Sequence, residues 1–284
     1  MRRNTQSSAV FCWCISFIFL ATPRSALGFP FDTDHYSLGG RVDEQEAHEH
    51  KRLQTSISAH ELSMPKKARD LVYSGKQKIV YGKNVQGGLE DFRAATAIAP
   101  DYYEAYYQIG MTYLQLGQRE EAKKSFRKSI ELSNEKYGEP LIGMGTILVD
   151  QADNPEGEKM IRHGLELSPN LWLGYYELGR VCLAENDLAQ AKKAGQQARS
   201  LMPNAGIVYR LLANVHMREK DYPALLDDID TYLKLDPDSP AAAHAKQMRD
   251  EVVQKIHDEN VAMENRRLSS ASKEQDSRRQ TDGR

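Results

Sequence analysis

The chain has little cysteine. It has three in 284 residues, at Cys12, Cys14 and Cys182. If the N-terminal segment is removed, as argued below, only Cys182 remains and no internal disulfide can form. An exported chain of this kind must be held by its apolar core, which suits a bacterial periplasm better than a harsh extracellular setting. An excess of one charge is also missing: 38 Lys and Arg stand against 40 Asp and Glu. That balance excludes the strongly basic surface of a dedicated nucleic-acid binder. The motifs of catalysis are absent as well. There is no glycine-rich phosphate loop, no nucleophile elbow, and no Cys or His pair at zinc spacing within the regular part of the chain. No catalytic residue, cofactor, metal or small-molecule substrate is therefore expected. His163 and His216 fall in helical stretches and read as packed or solvated side chains. Cys182 reads as a buried structural thiol.

Long apolar runs are missing except for one. "AVFCWCISFIFLA", at residues 9–21, follows Arg2 and Arg3 and precedes "TPRSALG". A basic start, an apolar middle and a small-residue exit are the layout of a secretory signal. The run measures roughly 20 Å as a helix, short of the ~30 Å hydrocarbon core. Cleavage after Gly28 is expected, which makes the protein periplasmic or secreted. The alternative is an uncleaved segment that tethers an envelope assembly factor to the membrane. Residues 29–64 read as a polar stretch in which only "TSIS" hints at a strand and the rest is linker or a short helix. Within it, "EQEAHEH" gathers Glu46, His48, Glu49 and His50, with His35 and His60 farther out. Imidazoles and carboxylates can bind divalent metals. Nothing here fixes their geometry, and the cluster is expected to be solvated.

What the chain does have is repetition. "YYQIGMTYLQLGQREEA" at residues 106–122 returns as "YYELGRVCLAENDLAQA" at 175–191. The offset is 69, close to two units of 34, and five such units align between Pro65 and Pro237. Each opens a first helix near a bulky residue: Val72, Tyr106, Leu141, Tyr175 or Tyr209. A small residue follows in most copies, as at Gly110, Gly145, Gly179 and Ala213. Polar turns "GKN", "LGQ", "ADN", "END" and "EKD" divide the two helices. The second helices carry a stripe such as Gly88, Phe92, Ala95 or Ala122, Phe126, Ser129. Four units stop at a proline: Pro100, Pro169, Pro203 and Pro237. The second unit has Asn134 there and runs one residue longer. Spacings of three and four give each helix one apolar stripe, and proline breaks the chain between units. A lone helix pair cannot bury its stripe, whereas stacked pairs can.

This pattern resembles the tetratricopeptide repeat family over about residues 65–237. The fourth unit, led by "LSPN", is nearest the family's ideal. The third lacks the opening aromatic and has glycine where alanine is usual, so its packing is expected to be the loosest. The first unit, with Gly75 and Lys76 in a helix interior, is also weak. The resemblance implies an all-α, right-handed superhelical solenoid of antiparallel helix pairs that binds a protein or peptide partner on its concave face. Carried over unit by unit, it places Tyr73, Gln77, Tyr107, Met111, Ile142, Tyr176, Arg180, Arg210 and Asn214 in that groove. Asp70, Glu104 and Glu139 would lie at its early end, and Arg180, Arg210 and Arg218 at its late end. Aromatic parts of a partner would then meet Tyr107 and Tyr176, and acidic parts Arg180 and Arg210. The lysine and asparagine clamp by which some members hold a terminal carboxylate is absent, since Tyr73, Gln77 and Gln108 stand in its place. After Pro240, the stripe Ala241, Ala245, Met248, Val252, Ile256 reads as a capping helix over residues 240–266. Residues 267–284 are polar and expected to be disordered.

Overall fold

The structure, a computed structural model, describes residues 58–282. The N-terminal signal segment, its cleavage point and the cluster at residues 44–50 lie outside the described residues. Twelve helices and no strand occur among the described residues. A short helix α1 (Ala59–Ser63) precedes five pairs: α2 (Lys66–Val80) with α3 (Val85–Ile98), α4 (Tyr103–Gln115) with α5 (Arg119–Leu132), α6 (Glu139–Asp150) with α7 (Asn154–Leu167), α8 (Trp172–Ala184) with α9 (Leu188–Leu201), and α10 (Gly206–Glu219) with α11 (Tyr222–Leu235). A long helix, α12 (Ala242–Asp282), closes the chain. No helix among the described residues is long and apolar enough to cross a membrane.

The turns explain why the pairs form. Inside every unit, the residue just before the second helix's cap takes a left-handed backbone: Lys83, Gly117, Ala152, Asn186 and Lys220, with φ between +47° and +71°. That residue reverses the chain. The next residue often caps the second helix, as Asn84, Asp187 and Asp221 accept from the backbone N–H of Gly87, Gln190 and Ala224. Between units, proline makes the break. Ala99, Ser168, Met202 and Asp236 each end a helix in a non-helical conformation just ahead of a proline, as the ring's clash with a helical predecessor requires. Where Pro is replaced, at the end of the second unit, Asn134 and Glu135 both turn left-handed. This accounts for the one extra residue there.

Second helices pack against the first helix of the next unit. First helices also touch one another across units, α4 with α6, α6 with α8 and α8 with α10, and second helices make no comparable contacts. The stack therefore curls toward its first helices, which line the inner face. Phe92, Phe126, Ile161 and Ile229 occupy equivalent places in four second helices and are all buried.

Two expectations need correction. The third unit is not loosely packed. A Cβ added to Gly145 would lie 2.7 Å from the Gly157 carbonyl oxygen, and one on Gly157 would lie 2.9 Å from that of Gly145. Gly75 and Gly88 make the same reciprocal approach in the first unit. Glycine on both helices lets the backbones meet directly, so the pairs with the weakest sequence pattern are closely fitted. The second correction concerns the C-terminus. Ala241, Ala242, Ala245 and Val252 are buried against the fifth unit, as a cap should be. The helix then runs on to Asp282, through the stretch expected to be disordered. Ser, Glu, Lys, Gln and Arg tolerate a helix well enough to extend one already nucleated by the cap.

Candidate binding groove

The early end of the inner face is covered by the chain itself. Ser58 caps α1 and donates its Oγ to Glu104 Oε1 at 2.5 Å, and His60 Nδ1 pairs with Glu104 Oε2 at 2.8 Å. Tyr102 Oη donates to Glu61 Oε1 at 2.9 Å. The His60 ring stacks on Tyr103 with centroids 4.0 Å apart. Rings then continue inward: Tyr103 to Tyr137 at 5.2 Å, Tyr137 edge-on to Tyr107 at 5.6 Å, and Tyr107 to Phe126 at 6.0 Å. Burial, reinforced by Glu104, pushes the Tyr103 phenol up to about 12. Glu104 is 8 % exposed, so its charge is spent on α1. Sequence reasoning missed Tyr137. It sits in the lengthened turn of the second unit, and that insertion is the one signal that could have found it.

The predicted groove residues separate by depth. Tyr73 is 61 % exposed on the first helix of the stack, and Gln77 is half-buried beside it. Tyr107 and Met111 are half-buried against the core. Ile142 is 1 % exposed and Tyr176 3 %, so neither offers an open surface. Ile142 fills the space left by Gly164 and Gly174, whose added Cβ atoms would meet it at 2.6 and 2.7 Å. Burial raises the Tyr176 phenol, opposed by Arg180 and by a hydrogen bond from Arg210.

Arg180 acts as a tie between units. It donates to Glu177 at 2.6 Å and to Asp150 of the preceding unit at 3.1 Å. Glu177 is 1 % exposed, and its second oxygen has no partner. A charge buried to that degree is held in place by its counter-ion, whose removal is strongly destabilising. Arg218 does not face the groove. Its Nη1 donates to the Leu183 carbonyl at 2.6 Å and so closes the end of α8. Asp70 is exposed and pairs with Lys66. Glu139 accepts from Ser168 Oγ at 2.8 Å, and burial lifts its carboxyl above the usual range. Cys182 is buried as expected, and burial pushes its thiol up to about 11.

The late end stays open. Arg210 and Asn214 from α10 face His244 and Met248 from α12 across a small cleft of about 30 Å³ floored by Ile229 and Tyr232. The sequence pattern did not mark His244 and Met248 as site residues, because it presents the closing helix only as a lid. That helix also continues the inner face by one more step.

A row of stacked helix hairpins with a lined inner face defines an α-helical solenoid. Residues 103–136 match the sequence model of the tetratricopeptide repeat family, and the stacked helix pairs give the chain the fold of tetratricopeptide-repeat proteins. Human protein O-mannosyl-transferase TMTC3 is 25 % identical over 170 residues, a stretch that covers 55 % of this chain and 19 % of that one. Among solved structures, the Cut9–Hcn1 hetero-tetramer of the APC/C gives a TM-score of 0.60 at 16 % identity, over 74 % of this chain and 41 % of that one. PilF of Pseudomonas aeruginosa gives 0.56 at 18 % identity, over 69 % and 86 %. A thermophilic tetratricopeptide protein of Thermus thermophilus gives 0.54 at 15 %, over 66 % and 99 %. The chain thus spans about a fifth of the human relative's length. The structural likenesses concern the fold.

Proposed function

We propose that this protein is a non-catalytic scaffold that holds a segment of a partner polypeptide along its inner face, with the partner's acidic part at the late end. The cleft between α10 and α12 carries this reading. Arg210, Asn214 and His244 supply polar groups there, Met248 supplies an adaptable apolar edge, and the buried Tyr232 forms the floor. The early end, by contrast, is already engaged by α1. Arginine and aromatic side chains at the centre of a concave site are the groups that dominate protein recognition.

The reading includes export. The basic, apolar and small-residue stretches of residues 1–28 support delivery to the periplasm or beyond. If that segment is retained, the same groove is held at the membrane surface. The mass of the mature N-terminus separates the two: a chain starting at Phe29 supports release, and Met1 retained in the membrane fraction supports the tether.

The groove is tested by a photoreactive residue placed in the native host at Asn214, with Glu131 on α5 as the outer-face control. A defined partner should crosslink from position 214 and not from 131. Arg210→Glu should cut that yield by about tenfold, the loss of roughly 1.4 kcal/mol from a charge-assisted contact. Equal capture from both positions, or capture indifferent to Arg210→Glu in a variant with unchanged helical spectrum, would remove the groove reading.

A further inference from the structure

At the end of α10, a histidine and two carboxylates converge. We propose that His216, Glu219 and Asp221 form a binding site for a borderline divalent metal ion of the zinc class. One ligand atom from each residue lies within 4.8 Å of the other two. The backbone builds this arrangement. α10 ends at Glu219, and Lys220 turns left-handed at φ +62°. Asp221 is thereby folded back until its N–H donates to the His216 carbonyl at 2.9 Å.

The histidine is set up as a ligand. Its side chain is 8 % exposed, and Nδ1 pairs at 2.7 Å with Asp228 Oδ2, on a side chain that is 2 % exposed. A metal-ligating imidazole characteristically engages a carboxylate through its other nitrogen, which holds the tautomer and the ring plane. With Nδ1 engaged by Asp228, Nε2 is the nitrogen left to meet an ion. A histidine that only packed would be satisfied by Asp228.

The carboxylates have other engagements that a metal must displace or share. Glu219 Oε2 accepts from Lys192 Nζ at 2.8 Å, and Asp221 Oδ1 accepts from the Ala224 N–H at 3.3 Å. Each leaves a second oxygen available. Ligand atoms around a tetrahedral zinc lie about 2.0–2.2 Å from the ion, so the three groups must draw in by roughly an ångström. Glu219 is exposed at the helix end and can make that movement. One nitrogen and two oxygens with a water in the fourth place suit zinc, and an imidazole ligand disfavours magnesium and calcium.

The test uses the full-length protein, stripped with a chelator and titrated with Zn²⁺ against a chromophoric competitor, with Co²⁺ as a spectroscopic stand-in. One ion per chain should bind, and Co²⁺ should develop a visible ligand-field band. The double variant Glu219→Gln, Asp221→Asn keeps the helix cap and leaves the buried His216–Asp228 pair intact. It should lose at least about tenfold in affinity and lose the cobalt band. Lys192→Gln, which frees Glu219 Oε2, should tighten binding. No Zn²⁺ binding overturns the proposal. Full affinity in the double variant also overturns it, because the ion would then sit on other histidines such as those at residues 44–50.

Discussion

Two tyrosines one double period apart meet different fates. Tyr107 stays half-buried among Phe126 and Tyr137, and Tyr176 disappears into the core. Their flanking sequences are nearly the same, so the repeat pattern assigns them one role. What separates them is Arg210 of the following unit, which covers and bonds Tyr176. A neighbour of this kind cannot be read from the residue itself. Glu139 is a similar case. Its position in the groove register was legible, and its depth was not. Burial raises its folded-state pKa above the unfolded value. Its contribution to stability is therefore present below the ordinary carboxylate range and is lost as pH rises through the raised folded pKa. Glu139→Gln should flatten this part of the pH–stability curve and raise the neutral-pH melting temperature. Denaturant titrations of both proteins at several pH values check this, and an unchanged slope would contradict the burial.

Within the elements, the third unit sets two small residues seven positions apart in opposite conditions. Gly145 sits where α6 meets α7, with no room for a Cβ. Ala152 sits in the turn at φ +66°, where a Cβ is a burden. Gly145→Ala should destabilise by about 1–3 kcal/mol from overpacking, less the ~1 kcal/mol that alanine returns in helix propensity. Ala152→Gly should stabilise by up to about 1 kcal/mol. Thermal melts that rank the two variants in the reverse order would show that the helices are farther apart than described. The helices, their polar turns and the proline breaks were all readable, because they follow local rules of periodicity and backbone sterics. The left-handed turn residues were not, since Lys83, Ala152 and Lys220 carry no local signature for that conformation.

The molecule as a whole is a stack, and its ends differ. Ala241 and, from α12, Ala245 and Val252 shield Leu225, Ile229 and Tyr232. Past Arg267 the helix offers the core little: Leu268 is 59 % exposed. A chain ending at Arg267 should melt with the full-length protein, whereas one ending at Pro240 should melt several degrees lower, because it opens the apolar side of the last pair to water. Scanning calorimetry of the two truncations decides this. A large loss from the first would assign the extension a packing role that the exposure of Leu268 denies. At the other end, α1 occupies the early part of the inner face, and this narrows the open groove to its later units and the cleft before α12.

The sequence alone determined the helix pairs, their number, their direction of stacking by units and the helix that closes them. Those features depend on spacing along the chain, and spacing is written there. Only the tertiary structure decided which inner side chains remain open, which charges become ties between units, and which histidine meets two carboxylates at a helix end. Each of these depends on what a neighbouring unit places within a few ångströms, and the linear pattern of a repeat treats all neighbours as alike.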